Sequence, residues 1–381
     1  MDIGIIDVGE WQKVVDFRSG RTATVPDRRT ADVAAVKEIM SAHPYPGDCE
    51  TESVDWAFAT AQSLIGIFDP RCVIITVGTL YFTEMSRSPG EYDRRQLLDG
   101  ILQSLEKFKS NFDGDVLVAG TGSMLPVEGF IECQNLQGLS CARGMGPVHC
   151  GFYDLSDHDM AYLREHPGME RLLTREEALK DWDAADDFKE RFPEYIAVAR
   201  RGWAFRNFGS GPRPLLKISA RDREIPIVSP LTVESITAVP AVMDGILSRG
   251  GKVALVVIEG AGCDDIPGGS PCSAELDWYT YTGGDDFYQA LMTGTELYRQ
   301  SYPPGFRYYF EDTPDKPYPY SGPYRELPST PWMSRGIKTI AAGSRGIITH
   351  VMSGADIALE CFARALYNYG TMAVIRGDGG K

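Results

Sequence analysis

The 381-residue chain lacks an apolar run long enough to cross a lipid bilayer. Its first residues, MDIGIIDVGEWQ, lack the basic segment and apolar core that open a secretory leader. Basic residues are also scarce, because 38 lysines and arginines face 53 acidic residues and leave a formal net charge of −15. This charge repels nucleic-acid phosphates and anionic membranes. We therefore expect a soluble, cytoplasmic protein that binds neither nucleic acid nor a membrane.

Cysteine is sparse as well. The eight residues are Cys49, Cys72, Cys133, Cys141, Cys150, Cys263, Cys272 and Cys361. This density is too low for a disulfide scaffold, so reduced thiols are expected. Cys133, Cys141, His149 and Cys150 lie close in sequence, but their gaps do not match the spacing of a structural zinc site.

Three familiar catalytic signatures are missing. The chain has no GxxxxGK[ST] phosphate loop and no completed GxGxxG before a helix. It also has no GxSxG turn, which leaves a nucleophilic serine of the α/β-hydrolase kind without support. No motif names a reaction, so the function has to be inferred from candidate site residues.

Aliphatic segments typical of buried strands alternate with amphipathic segments typical of helices. The predicted strands are 3–6, 72–77, 115–119, 215–219, 253–258, 338–342 and 371–375. The predicted helices are 52–68, 93–108, 232–248, 286–299 and 355–367. Short aliphatic strands without a polar face are typical of a sheet covered on both sides. The pattern predicts an α/β fold, layered α/β/α, with a central mostly parallel sheet.

The alternation lapses between residues 121 and 214. Glycine and proline become frequent there, an acidic helical pattern spans 174–192, and aliphatic strands are not evident. We predict an insertion or cap at 121–214 on an α/β core formed by 1–120 and 215–381. The proline- and aromatic-rich stretch 302–332 is predicted to be an ordered, irregular excursion from that core.

Candidate site residues follow the predicted strands, because ligands of open α/β sheets bind beyond the carboxyl ends of parallel strands. Four turns are in this position: 7–10, 120–123, 259–265 and 343–346. We expect them to lie at one edge of the sheet. A small anionic molecule bound at that edge would contact all four turns.

Acidic residues dominate the turn after the strand 253–258. Carboxylate oxygens suit a hard divalent cation, and paired carboxylates suit general acid and base catalysis. The predicted catalytic residues are Glu259, Asp264, Asp265 and Ser123. The predicted ligands of a divalent metal ion are Asp7, Glu259, Asp265 and His350. The competing interpretation is that these carboxylates only form turns and cap helices.

The glycine turn Gly-Thr-Gly-Ser at 120–123 would let backbone N–H groups and two hydroxyls approach an anion. Guanidinium groups pair well with phosphate and carboxylate. The predicted substrate-binding residues are Gly120, Thr121, Gly122, Arg206, Ser344 and Arg345. Two alternatives stay open: an ordinary tight turn at 120–123, and a solvated surface for the basic run 200–223 that contains Arg206.

Two stretches carry a resemblance to a known family. The block DPRCVIITVGTLYFTEMSRSPGEYDRRQLLDGILQSLEKFKSNFDGDVLVAGTGSM, at 69–124, resembles part of the alkaline phosphatase and cofactor-independent phosphoglycerate mutase superfamily. That family supplies metal-binding Asp and His from the loop and from an Asp-His-Gly after the second strand. Here Thr79 and the turn 120–123 occupy the comparable places. VALVVIEGAG is similar to the family's first strand, with Glu259 in place of a metal-binding Asp, but it follows the other block instead of preceding it.

The resemblance implies a layered α/β fold and metal-dependent phosphoryl chemistry. From the residues themselves we expect an enzyme that hydrolyses or transfers a group at a phosphate or carboxyl centre of a small anionic substrate. Two alternatives are a non-catalytic binding or scaffold protein on an enzyme-derived fold, and a metal-free lyase or isomerase that uses paired carboxylates. A homo-oligomer is compatible with all three.

Overall fold

The structure of the protein, a computed structural model, describes most of residues 38–274 and parts of the chain on either side. The described residues are 3–7, 13–16, 21–24, 38–39, 41–141, 147–184, 193–206, 215–274, 287, 288, 290, 291, 294–296, 299, 338–342, 357–360 and 371–376. The predicted excursion at 302–332 lies outside them, as does most of the predicted helix 286–299.

Strands and helices alternate through the first part of the chain. The strands are β1 Ile3–Asp7, β2 Lys13–Asp16, β3 Arg21–Thr24, β4 Cys72–Val77, β5 Asp115–Gly120, β6 Met124–Pro126, β7 Gly129–Glu132, β8 Leu139–Cys141, β9 His149–Tyr153, β10 Met169–Thr174, β11 Tyr195–Ala199, β12 Trp203–Arg206, β13 Lys217–Ser219, β14 Glu224–Val228, β15 Val253–Ile258, β16 Ser270–Ser273, β17 Lys338–Ala342, β18 Ile357–Glu360 and β19 Thr371–Arg376. The α-helices are α1 Glu52–Phe68, α2 Thr79–Ser86, α3 Arg94–Asn111, α4 Asp157–Glu165, α5 Arg175–Asp181 and α6 Val239–Ser248, with a 3-10 turn at Ile236–Ala238.

Eleven of the described strands form one large sheet in the order β16-β14-β5-β15-β4-β18-β17-β19-β1-β2-β3. Its five central strands, from β5 to β17, pair in parallel. The outer strands pair antiparallel on both sides. The predicted α/β class is confirmed, and the sheet as a whole is mixed, with parallel pairing confined to its centre.

Two hydrophobic layers cover the central strands. Every residue of β4 and β15 is buried, as expected for parallel strands covered on both faces. One face of these strands, including Ile75 and Val256, packs with α1 and α3 in one core cluster. The opposite face, including Ile74 and Leu255, packs with α6 in a second cluster. The result is the three-layered α/β/α arrangement.

Helix α3 shows how local sequence sets these layers. Asp93 is its N-cap and accepts hydrogen bonds from the N–H groups of Arg95 and Gln96. The buried side chains recur at helical spacing and are Leu97, Leu98, Ile101, Leu105 and Phe108. The predicted helix at 93–108 therefore extends to 111 in the structure. No described helix is long and apolar enough to span a membrane.

Residues 124–219 contribute strands to three smaller sheets instead of the large one. These sheets are β10-β11-β9-β8, β12-β7 and β13-β6. Phe152, Leu163 and Phe205 are fully buried in a hydrophobic cluster of this region. The expectation that aliphatic strands are missing from 121–214 is therefore wrong. Its strands are short and mix apolar residues with His, Gly and Arg, which hides their periodicity.

The predicted helix at 355–367 is also wrong at its beginning. Ile357–Glu360 is the strand β18, which pairs in parallel with both β17 and β4. A four-residue apolar run has no decisive periodicity, so sheet pairing decides its conformation. The remaining residues of that prediction lie outside the described part of the chain.

Replacing Leu255 with alanine should lower the free energy of unfolding by about 3 kcal/mol, because Leu255 is fully buried in β15 and the substitution leaves a cavity. Urea denaturation measures this change. Leu231→Ala is the matched control, since Leu231 is 54% exposed and should change stability by less than about 0.5 kcal/mol. Equal effects of the two substitutions would contradict the assignment of β15 to the core.

His149 should make stability depend on pH. Burial, with the positive charges of Arg221 and Arg171, lowers the pKa of His149 from 6.5 to about 3. The unfolded state therefore binds a proton at a higher pH than the folded state does. Stability should fall as the pH drops from 6.5 towards 3, and His149→Phe should flatten that dependence. Urea denaturation across this range tests it, with His158→Gln, at an exposed position, as the control that keeps the wild-type slope.

Candidate functional site

The turns that follow β4, β5 and β15 meet at one edge of the sheet because these strands are parallel neighbours. The Gly260 N–H donates to Thr121 Oγ1 at 3.0 Å. The Gly122 N–H donates to the carbonyl of Ala261 at 3.0 Å. The structure thus brings together two of the four turns that the sequence nominated, 120–123 and 259–265. We call this region the carboxyl edge.

Glu259 lies at the centre of the carboxyl edge. Its residue is only 4% exposed, and the Tyr288 hydroxyl donates to Glu259 Oε1 at 2.8 Å. Its other oxygen, Oε2, lies 2.7 Å from where a Cβ on Gly78 would be. Position 78 therefore admits only glycine while Glu259 keeps this orientation. Thr79, fully buried, follows directly and begins α2, so the N-terminus of that helix is at the same edge.

Asp265 is held by Arg94, the first residue of α3. The guanidinium donates to both carboxylate oxygens, at 2.8 and 2.7 Å, and the Gly262 N–H donates to Oδ2 at 2.8 Å. Burial acts to raise the pKa of Asp265, but these hydrogen bonds outweigh it and hold the pKa below its ordinary value of 3.8. The same hydrogen bonds raise the pKa of Arg94. Asp265 is therefore a structural carboxylate that fixes the turn.

Arg94 also joins a second, more deeply buried carboxylate. Its Nε is 3.3 Å from Oε1 of Glu84, and Lys217 Nζ forms an ion pair with the same oxygen. The Glu84 side chain is 1% exposed. We call Lys217, Glu84, Arg94 and Asp265 the charge chain. It ties β13, α2 and α3 to the turn that carries Glu259.

The glycine turn at 120–123 does not offer all the donors that the sequence suggested. The Ser123 N–H donates to Asp222 Oδ2 at 2.7 Å, and the Gly122 N–H is taken by Ala261. A Cβ on Gly262 would lie 2.2 Å from Ser123 Oγ, so the serine hydroxyl packs directly on that glycine. Two of the N–H groups predicted to hold an anion are therefore engaged inside the protein. The turn supports the Glu259 turn.

The remaining predicted residues are dispersed or lie outside the described chain. Asp264 is exposed to solvent. Arg206 belongs to the β12-β7 sheet, where it pairs with Glu132 and lies 4.6 Å from the ring centroid of Phe130. Asp7 ends a strand five positions from β15, roughly 24 Å away at the usual strand spacing. The described residues do not include Ser344, Arg345 and His350.

The residues at the carboxyl edge do not fit the predicted metal site. Glu259 is hydrogen bonded to Tyr288, and Asp265 is paired with Arg94. Within the described part of the chain, no group of three or more His, Cys, Asp or Glu side chains could hold a metal ion. Asp7 is too distant from Glu259 to share one. No step of the proposed chemistry therefore passes through a metal.

Cys263 lies in the same turn but is a poor nucleophile. Burial, with the negative charges of Asp222, Glu224 and Asp264, raises the pKa of its thiol. The thiol therefore stays protonated at neutral pH.

Sequence reasoning missed several residues of this region. Tyr288 lies far from Glu259 along the chain, and no pattern pointed to it. Arg94 and Glu84 look like ordinary charged helix residues until the fold places them together. A signal existed for the Gly78–Thr79 turn, because it directly follows the predicted strand 72–77.

Comparison with known proteins gives similarity of fold only. No family model and no curated protein matches the chain. Two similar solved structures are of phosphonoacetate hydrolase from Sinorhizobium meliloti 1021. The complex with phosphonoformate is 13% identical, with a TM-score of 0.36, and the match covers 49% of this chain and 52% of that chain. The complex with phosphonoacetate is 12% identical, with a TM-score of 0.34 and coverage of 46% and 49%.

The chain thus spans about half the length of the two solved structures that it matches. Phosphonoacetate hydrolase is a member of the alkaline phosphatase superfamily. The matches agree with the sequence resemblance at the level of an α/β fold and no further.

Replacing Arg94 with glutamine should lower the free energy of unfolding by about 2 kcal/mol. The substitution leaves Glu84 and Asp265 without their shared cation, and the partial exposure of Arg94 keeps the loss below that of a fully buried pair. Urea denaturation at neutral pH measures it. Lys109→Gln is the control, because the exposed Lys109–Glu106 pair contributes less than about 1 kcal/mol. An Arg94→Gln protein as stable as the wild type would show that the charge chain does not hold the turn.

Proposed function

We propose that the protein is an enzyme that acts on a small anionic molecule at the carboxyl edge, with Glu259 as the group that transfers protons. One observation carries the proposal: a carboxylate that is 4% exposed ends a central strand, and the Tyr288 hydroxyl fixes its orientation. Burying a carboxylate is unfavourable unless it is paired or hydrogen bonded. Glu259 has a hydroxyl partner in place of a cation, which suits a proton-transfer group better than a structural ion pair.

Helix α2 supplies the preference for an anion. Its first turn lies at the carboxyl edge, and a helix N-terminus presents backbone N–H groups and partial positive charge. Its N-cap, Gly78, has no side chain to accept from these N–H groups. Arg94 and Lys217 add positive charge beside the same helix, through their ion pairs with Glu84. A phosphate, phosphonate or carboxylate group fits this environment.

The reaction proposed is hydrolysis or group transfer at a phosphate or carboxyl centre. Glu259 would take the proton from the attacking water or hydroxyl and return it to the leaving group. The hydroxyls at the edge are those of Thr79, Thr121 and Ser123. Thr79 is the one placed at the helix N-terminus, beside the glycine on which Glu259 packs.

A binding protein without catalysis is the second candidate. It is favoured by the fact that the N–H groups of Gly122 and Ser123 are used within the fold. Under this alternative the Glu259–Tyr288 hydrogen bond only stabilises the turn. A ligand would then bind to the wild-type protein and leave unchanged.

Glu259→Gln should lower kcat at least about 100-fold, because glutamine keeps the shape and accepts from Tyr288 but cannot take up a proton. Turnover is measured on a panel of small phosphate esters, phosphonates and carboxylate esters. Glu106→Gln is the matched control and should keep the wild-type rate, since Glu106 is exposed on α3. A Glu259→Gln protein with wild-type turnover would refute the role of Glu259. Ligand binding by the wild type with no turnover across the panel would favour the binding protein.

A further inference from the structure

A groove of about 750 Å³ lies between α1 and α3, on the face of the sheet that these helices cover. The end of α2 and the turn before α3 complete its wall. Its lining carries five carboxylates, on Glu52, Asp55, Glu91, Asp93 and Asp99, and two basic groups, on Arg87 and Lys107. Arg87 forms an ion pair at 2.8 Å with Glu50, which is outside the lining. The groove is therefore negatively charged.

Thr83 gives this groove a polar group without a partner. The residue lines the groove and is 2% exposed. Its hydroxyl forms no hydrogen bond within the described part of the chain. Most buried hydroxyls in proteins are hydrogen bonded, and one left without a partner is unfavourable. A ligand group that donates a hydrogen bond at this point would remove that penalty.

The arrangement of the carboxylates indicates the shape of the ligand. The described residues offer no group of three that could hold one metal ion, so the acidic groups are spread out. Asp93 and Asp99 are six residues apart at the start of α3, which corresponds to about 9 Å along a helix. Carboxylates separated in this way match an extended organic cation with several ammonium groups. The volume is also within the range of sites for small organic molecules.

We propose that this groove binds a linear polyamine, with one ammonium group donating to the Thr83 hydroxyl and the others paired with the carboxylates of the lining. An ammonium group has three donors and no acceptor, so a hydroxyl oxygen and carboxylates satisfy it together. Its binding does not depend on the chemistry at the carboxyl edge. The two sites lie on different parts of the fold.

Spermidine binding to the full chain, measured by isothermal titration calorimetry at fixed ionic strength, tests the proposal. Thr83→Val should weaken binding about tenfold, because the hydrogen bond to an ammonium group is lost. Thr83→Ser should bind as the wild type does. Thr60→Val is the matched control, since Thr60 is a fully buried threonine of α1 whose hydroxyl has no partner among the described residues and which does not line the groove.

A second pair of variants covers the case in which Thr83→Val does not fold. Asp99→Asn, at an exposed position of the lining, should weaken spermidine binding several-fold, whereas Glu106→Gln on the same helix should not. Equal affinities of Asp99→Asn and Glu106→Gln would overturn the proposal, because binding would then reflect only the overall negative charge. Displacement of spermidine by an equal concentration of Mg²⁺ at matched ionic strength would overturn it too, in favour of a metal ion.

Discussion

The parallel pairing of β5, β15 and β4 is the constraint on which the rest of the structure depends. Every residue of β4 and β15 is buried, so backbone N–H and carbonyl groups in these strands must be satisfied by the neighbouring strands. Parallel pairing then requires that all three strands end at the same edge. The turns carrying Gly78, Thr121 and Glu259 are adjacent for that reason, although they are far apart in sequence.

Electrostatics at this edge divides the acidic residues into two kinds. Asp265 and Glu84 are neutralised by Arg94, and Lys217 adds a second cation to Glu84. They hold the helices and the turn in place. Glu259 has a tyrosine hydroxyl instead, so its carboxylate is oriented by an uncharged donor. This difference in partner, more than the number of acidic residues, distinguishes the proposed catalytic group from the structural ones.

The same charged helices create a separate environment on the outer face of the sheet. The N-cap of α3, Asp93, contributes to the acidic groove between α1 and α3. The next residue, Arg94, points its charge towards Glu84 and Asp265. One helix N-terminus thus serves both regions, with adjacent residues of opposite sign. A change in α3 is expected to affect the carboxyl edge and the groove together.

The sequence by itself determined the buried strands 72–77 and 253–258, the helix 52–68 and the α/β class, because hydrophobic periodicity is a local property. It also placed Glu259 and the 120–123 turn at strand ends. Tertiary structure alone decided that Tyr288 contacts Glu259, that Arg94 neutralises Asp265, and that 357–360 is a strand. These outcomes depend on which distant segments become neighbours, and on whose donors they use. No local pattern of residues contains that information.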